Sequence, residues 1–219
     1  MPNAKPIDLA YNLDPTTPVY PKYPPVEVEV LESTRYTRPD GRRSLNSSVL
    51  SIGIHCGTHM DAPFHFFENE ISIDQVPLDV CLGKALMIDV RNKLSDGMIE
   101  LRHFKPQEAK IREIRRIVVQ SGWSSKWGTP EFFSSHPTFT PESAEFLIDC
   151  GVRLVAVDFS SVDRAPYPVH IAFLSRGIII VENLTNLAAI QKAEFNLIVV
   201  PLKLTGRDGS PVRAIALES

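Results

Sequence analysis

Short apolar runs dominate the chain and predict β-strands more often than helices. Alternating apolar and acidic residues at 26–31 (VEVEVL) predict a half-exposed strand, and residues 44–54 predict a second strand that leads directly into His55. Continuous β-branched runs are typical of strands that are covered on both faces. Such runs occur at 85–90, 116–121, 153–158, 177–182 and 197–204.

Fewer helices are predicted, and they are identified by the residues at their ends. At 140–151 Thr140 is a suitable N-cap, Pro141 fits the first helical position and a glycine ends the segment. Similar signals predict helices at 105–116 and 168–177. With the strands, these segments predict a mixed α/β fold.

The remaining segments predict irregular structure within one domain. Prolines crowd the first quarter, from Pro15 to Pro25, and favour an extended, non-helical chain there. The turn at 205–211 (TGRDGSP) predicts a C-terminal hairpin. Because no repeat or linker divides the sequence, we expect residues 1–219 to form a single domain.

Composition narrows the functional classes. A chain of 219 residues with 43% hydrophobic and 22% charged residues is globular. A net charge of -3 without a Lys/Arg run argues against nucleic acid, and no apolar stretch reaches the roughly 18 residues of a membrane span. Three cysteines without paired spacing predict reduced thiols in a cytoplasmic protein.

The segment HCGTHMDAPFHF (55–66) concentrates potential metal ligands. It holds four of them at even offsets: His55, His59, Asp61 and His65. Even offsets do not share a helix face, but they project from one side of an extended chain. A flat strand would separate the first two imidazoles by roughly 13 Å, so the chain must curve, and Gly57 permits the bend. We expect a strand ending at His55 and then a tight loop around a metal.

The residue types indicate a catalytic rather than a structural metal site. Imidazole and carboxylate suit a divalent transition ion, zinc first, with manganese or magnesium also compatible. Three ligands from His55, His59 and Asp61 would leave coordination positions open. His65 follows Pro63 and is placed for proton transfer beside such an ion. The alternative is ordinary hydrogen-bonded histidines, which suits a single histidine better than this cluster.

The cluster also resembles a family motif. HCGTHMDAPFHF resembles the H-x-G-T-H-x-D-x-P-x-H motif of the cyclase family of metal-dependent hydrolases, which includes kynurenine formamidases (arylformamidases) and isatin hydrolases. The likeness continues in DLAYNLDPTTPVYP, VRLVAVDFSSVD, HIAFLSRGIIIVENLTNL and LKLTGRDGSPVRAIA, nearly the whole chain. The resemblance implies the swivelling β/β/α fold of that family.

The formamidase branch of the family implies a binuclear site. Its ligands would be His55, His59 and Asp61 for one metal, and Asp61, His170 and Glu182 for the second. The carboxylates of Asp61 and Glu182 would bridge the ions, and His65 would donate and accept the proton. Isatin hydrolases resemble this pattern but carry Gln at the position of Glu182 and bind one manganese. Glu182 therefore favours the two-metal type, with zinc first and manganese as the alternative.

Two features leave the substrate open. Tyr20 stands where formamidases usually carry a Trp against the aromatic substrate, so Tyr20 either stacks on substrate or packs the Pro-rich loop. The aromatic segment 121–137 would pack a lid or a dimer contact, and His103 and His136 match no motif position.

The resemblance implies metal-assisted hydrolysis of an amide-type C–N bond in a formamide, aryl amide or lactam. The partner would be a small-molecule amide, and a homodimer or higher homo-oligomer is expected. One alternative is a cyclase or dehydratase acting on a related carbonyl substrate, which the gain or loss of water distinguishes. A non-catalytic metal-binding protein is the other, although structural zinc sites usually contain Cys ligands and no Cys pair exists here.

Overall fold

A mixed β-sheet forms the centre of the protein. In the computed structural model, which describes residues 5–36, 38–42 and 44–218, nine strands belong to this sheet and two strand pairs lie outside it. The strands are β1 (Pro6–Asp8), β2 (Glu27–Glu32), β3 (Ser47–Ser51), β4 (His59–Asp61), β5 (Leu82–Asp89), β6 (Met98–Ile99), β7 (Arg116–Gln120), β8 (Thr138–Phe139), β9 (Leu154–Val157), β10 (Ile179–Glu182), β11 (Glu194–Ile198), β12 (Gly209–Pro211) and β13 (Ile215–Leu217).

Short helices connect the strands. They are α1 (Leu78–Cys81), α2 (Leu101–Phe104), α3 (Glu108–Ile114), α4 (Glu131–Ser134), α5 (Pro141–Asp149) and α6 (Pro168–Leu174). The clearest predicted helix is confirmed, because α5 starts at Pro141 and the Thr140 side chain accepts a hydrogen bond from the Ser143 backbone N–H at 3.2 Å. Within the described ranges, no helix is long and apolar enough to cross a membrane.

Strand order explains why the β-branched runs are apolar throughout. The order across the sheet is β1-β13-β11-β5-β7-β9-β10-β4-β12. β5, β7, β9 and β10 lie parallel at the centre, where the sequence predicted doubly covered strands. Neighbouring strands on both sides pair antiparallel, including β11 with β5 and β4 with β10.

The two faces of the sheet bury separate apolar clusters. Ile117 and Val119 of β7 point into the cluster covered by α3, α5 and α6, whereas Val118 points into the opposite cluster. This alternation follows from the period of two in a strand. Because both clusters are fully buried, the apolar runs need no polar positions.

Two predicted strand boundaries were wrong. The strand predicted at 44–54 is β3, which ends at Ser51 because its partner β2 begins at Glu27, opposite Ser51. The strand predicted at 197–204 is β11, and Pro201, which has no N–H to donate, keeps only an isolated bridge with Val212. The predicted C-terminal hairpin is confirmed, because β11 and β13 on either side of the turn pair antiparallel and the bridge between Pro201 and Val212 continues their register. The short strand β12 within this connection pairs with β4.

The pair β2–β3 is an arm outside the central sheet. The sequence predicted one covered face for β2, yet both faces are exposed, including Val28, Val30 and Leu31. No layer of the described chain covers this arm, so its apolar side chains remain in contact with solvent in a single subunit.

Candidate active site

The short strand β4 carries two of the predicted ligands into the sheet. It lies between β10 and β12, with His59 opposite Glu182 and Asp61 opposite Ile180. Alternation places His59, Asp61 and Glu182 on one face, while Met60 points into the core on the other. The predicted tight loop is therefore wrong for these residues, which form a strand instead.

The predicted bend lies between His55 and β4. Gly57 has φ +61°, and a Cβ there would lie 2.6 Å from Leu13 Cδ2. Glycine is therefore favoured both by the backbone conformation and by the close approach of the N-terminal segment. The bend turns the His55 ring back towards His59, with 5.2 Å between the ring centroids.

Five predicted ligands converge, although more than a hundred residues separate β4 from His170. Their ligand atoms form two groups, each within 4.8 Å, and Asp61 belongs to both: His55, His59 and Asp61 form one, and Asp61, His170 and Glu182 form the other. A single carboxylate shared by two ligand groups is the arrangement that a bridged metal pair requires. Their role as metal ligands stays a prediction.

The imidazoles are oriented from outside the centre. His59 Nδ1 lies 2.9 Å from the Gly57 carbonyl oxygen, and His55 Nε2 lies 2.7 Å from Asp208 Oδ2. Each ring therefore has its second nitrogen directed inwards: His55 Nδ1 is 2.7 Å from Asp61 Oδ1, and His59 Nε2 is 3.5 Å from the same oxygen. Metal-binding histidines are typically held by such an outer acceptor.

His170 is fixed by the cap of its own helix. Asp163 Oδ2 accepts the backbone N–H groups of Val169 and His170 at the start of α6, and Asp163 Oδ1 lies 2.6 Å from His170 Nδ1. His170 Nε2 then faces Glu182 Oε1 at 3.5 Å. Burial alone would lower the pKa of His170, but Asp163, Glu182 and Asp61 outweigh it and raise that pKa to about 10.

Burial and neighbouring charges shift the pKa values of the imidazoles and carboxyl groups in the centre. Burial by itself would lower the pKa of His55, but Asp61 and Asp208 outweigh it and raise that pKa to about 10. Burial dominates at His59 and lowers its pKa to about 4, and burial raises the pKa of Glu182 to about 7. A divalent cation suits this donor set. An imidazole binds a metal in its neutral form and a carboxyl group in its ionised form, so metal binding would release the protons held here.

His65 lies beside the centre, as the sequence suggested. It ends a 3₁₀ turn at Pro63–His65, and its ring centroid is 4.1 Å from that of His55. His65 shares no ligand group with Asp61 but forms a third group with His55 and Asp208. Burial lowers the pKa of His65, which favours the neutral imidazole.

Two functional candidates were missed in the sequence. Asp208 lies in the predicted turn 205–211, where an aspartate has an ordinary turn role, yet Asp208 Oδ2 is 3.3 Å from His65 Nδ1. Asp163 was noted only as part of a family-like segment. An acidic residue that follows a strand and precedes a Pro-initiated helix was the available signal for Asp163.

An aromatic-walled cavity of about 510 Å³ opens above the centre. Tyr20 lines it and packs edge-on against Phe133 at 5.9 Å and against Tyr23 at 6.2 Å. Phe133 belongs to the aromatic segment 121–137, whose Trp127 stacks on Tyr11 at 3.9 Å. That segment therefore forms part of the cavity wall, while its role as a lid or dimer contact stays a prediction.

Comparison with known proteins identifies relatives of this fold and site. The sequence model of the Cyclase family matches residues 7–164. A kynurenine formamidase of Bacillus mycoides is 34% identical over 212 residues, which cover 95% of this chain and 95% of that protein. Isatin hydrolase A from Ralstonia solanacearum has a TM-score of 0.85 at 24% identity, covering 100% of this chain and 93% of its own. Isatin hydrolase A from Labrenzia aggregata, bound to benzyl benzoate, has a TM-score of 0.84 at 24% identity, covering 98% of this chain and 93% of its own.

These findings define the class of the protein. The expected swivelling β/β/α fold is confirmed by the isatin hydrolase structures, and the central sheet carries a His/Asp cluster that can bind a metal. Fold, site and relatives together make the chain a hydrolytic enzyme. The chain belongs to the cyclase family.

Proposed function

We propose that the enzyme hydrolyses the C–N bond of an aromatic amide, such as a formamide, an aryl amide or a lactam. Its cofactor would be a pair of divalent ions, zinc first with manganese as the alternative. The observation that carries this proposal is Asp61, whose carboxylate is common to both ligand groups at the base of an aromatic cavity. The kynurenine formamidase relatives support the amide bond as the target.

Side chains of the protein would hold and transfer the proton during hydrolysis. When bound, the metal pair would polarise the carbonyl and lower the pKa of a water towards ~7. Burial lowers the pKa of His65 and so favours the neutral imidazole, which can accept a proton and return it to the leaving amine. Asp208 accepts from the His65 ring and so sets which His65 nitrogen carries the proton, which makes Asp208 a positioning residue.

Hydrolysis and ring closure can be separated directly. The metal-free protein would be loaded with zinc or manganese and assayed on N-formyl aromatic amines, isatin and cyclic amides. Mass spectrometry of the products should show the gain of one water. A product formed by the loss of water would instead identify a cyclase or dehydratase. Metal binding without turnover on the panel would support a non-catalytic metal protein.

Replacing Tyr20 by alanine should raise KM for aromatic amides by about tenfold. This corresponds to roughly 1.4 kcal/mol, a reasonable value for the loss of one ring contact. The side chain is 43% exposed and lines the cavity, so its loss should leave metal content and Tm unchanged. Steady-state kinetics on aromatic and aliphatic amides measure the effect.

The control for this substitution is Tyr36→Ala, since Tyr36 is 74% exposed and lies outside the cavity lining. Equal KM values for Tyr20→Ala and wild type on both substrate classes would assign Tyr20 to loop packing alone.

Two further properties belong to this proposal. A homodimer or higher homo-oligomer is supported by the β2–β3 arm, whose Val30 and Leu31 are exposed in one subunit and offer apolar surface to a partner. The mass in solution tests it. A cytoplasmic location is supported by three free, buried cysteines, which suit a reducing compartment.

A further inference from the structure

We propose that Asn183 is a positioning residue for His59: its side-chain amide fixes the Gly57 carbonyl, and that carbonyl holds the His59 ring with Nε2 directed at the metal centre. This inference rests on the metal centre of the proposed function and adds a residue that belongs to neither of its two ligand groups. Asn183 is a buried residue that directly follows Glu182.

Asn183 turns out of β10 in a left-handed conformation. The strand ends at Glu182, and Asn183 has φ +61°, which asparagine adopts more readily than most residues with a Cβ. Its backbone N–H donates to the Phe159 carbonyl at 3.1 Å, and the residue is only 4% exposed. The turn brings its amide to the bend at Gly57, which precedes β4.

The amide donates to the same carbonyl that holds His59. Asn183 Nδ2 donates to the Gly57 carbonyl oxygen at 2.8 Å, and His59 Nδ1 lies 2.9 Å from that oxygen. A carbonyl oxygen has two lone pairs, so it can accept both N–H groups. With the proton on Nδ1, the Nε2 lone pair of His59 faces Asp61 and Glu182, each at 3.5 Å. The direction of the Gly57 carbonyl therefore decides which His59 nitrogen is free to bind a metal.

The contacts of the Asn183 side chain come from its NH2 group. In the opposite orientation Oδ1 would lie against the Gly57 carbonyl oxygen, and two acceptors at 2.8 Å repel each other. Asn183 Nδ2 also lies 3.4 Å from His59 Nδ1, directly beside the ring. The buried Oδ1 has no hydrogen-bond partner among the residues that the structure describes. An unpaired acceptor opposes folding, so the donors are what this side chain contributes.

A second hydrogen bond joins the bend to Asn183 through the backbone. The Thr58 hydroxyl donates to the Asn183 carbonyl oxygen at 2.6 Å and accepts the Tyr11 backbone N–H at 3.1 Å. Thr58 therefore stays attached to the end of β10 whichever side chain is present at position 183. A substitution there removes the support of the Gly57 carbonyl and leaves the rest of the bend in place.

Asn183→Gly tests the proposal, because glycine adopts the left-handed backbone, keeps the Thr58 bond and removes only the amide. The carboxylates that face Nε2 then attract the His59 proton. Nitrogen NMR of the metal-free protein should show the Nδ1–H form of His59 in wild type and a mixture of both tautomers in the variant. Loss of such an outer contact weakens metal binding by about 10–100-fold. In competition with a chelator, one of the two zinc ions should therefore bind about tenfold more weakly or worse.

Asn186→Gly is the matched control. Asn186 is also left-handed, with φ +56°, and its Nδ2 also donates to a backbone carbonyl, that of Asp8 at 2.9 Å. It is exposed and lies outside the cavity lining, so its variant should match wild type in the His59 tautomer and in metal affinity.

Three results would overturn the proposal: an unchanged His59 tautomer in Asn183→Gly, wild-type metal affinity in that variant, or an equal change in Asn186→Gly. Failure of the proposed function gives a different result. If the wild type binds neither zinc nor manganese, the metal centre is refuted, and the tautomer of His59 in the metal-free proteins decides on Asn183 alone.

Discussion

Replacing His65 by alanine should reduce kcat by about 10²–10⁴-fold, the usual contribution of a positioned general acid–base. Metal content should stay near the wild-type value. The reason is geometric, because His65 shares no ligand group with Asp61, and its ring centroid lies 6.4 Å from that of His170. Steady-state kinetics and elemental analysis of the same preparation measure the two quantities together.

His103→Ala provides the control for the loss of an imidazole. His103 lies outside the cavity lining and its Nδ1 accepts the backbone N–H of Glu100, so its substitution should leave both kcat and metal content unchanged. Loss of metal from His65→Ala would contradict the assignment and would make the group of His55, His65 and Asp208 a metal site instead.

The sequence predicts the central sheet well where burial determines the residue types. β7 and β9 are covered on both faces, which favours β-branched runs, and their bounds agree with the predicted ranges to within one residue at each end. The predicted strand boundaries were wrong where the position of the partner strand determines where a strand ends. β3 ends at Ser51 because its antiparallel partner β2 begins opposite that residue, and the residues of β3 do not reveal where its partner begins.

The candidate site likewise contains residues that local sequence predicts and residues that it does not. His55, His59 and Asp61 are close in sequence, so spacing alone indicates a cluster. The convergence of His170 and Glu182 with them depends on β10 pairing with β4, which no local pattern encodes. For these two residues the family resemblance, rather than periodicity, supplied the expectation.

Asp208 shows what remains beyond a single sequence. It lies in an irregular segment where an aspartate has an ordinary explanation as a turn former. Its role depends on what the fold places opposite it, which is the His55 ring.

Asp61→Asn should abolish turnover and remove both metal ions, because Asp61 is the carboxylate common to both ligand groups. An amide oxygen retains the shape but loses the charge and the bridging capacity of a carboxylate. Glu182→Gln is the matched comparison, since Glu182 belongs to one group only. That variant should retain the ion at His55 and His59 and lose occupancy of the second, so elemental analysis should give about two, one and no ions for wild type, Glu182→Gln and Asp61→Asn.

A thermal readout makes this test independent of activity. A ligand that binds only the folded state stabilises it by RT ln(1 + [L]/Kd), about 2.7 kcal/mol at a concentration of 100 Kd. Added zinc should therefore raise Tm strongly for wild type, less for Glu182→Gln and hardly at all for Asp61→Asn. The metal-free proteins should all retain a cooperative transition, because Met60 of the same strand stays packed in the core. If Asp61→Asn kept two ions and the full shift in Tm, the carboxylate shared between the two groups would not be a metal bridge, and the proposed binuclear centre would have to be abandoned.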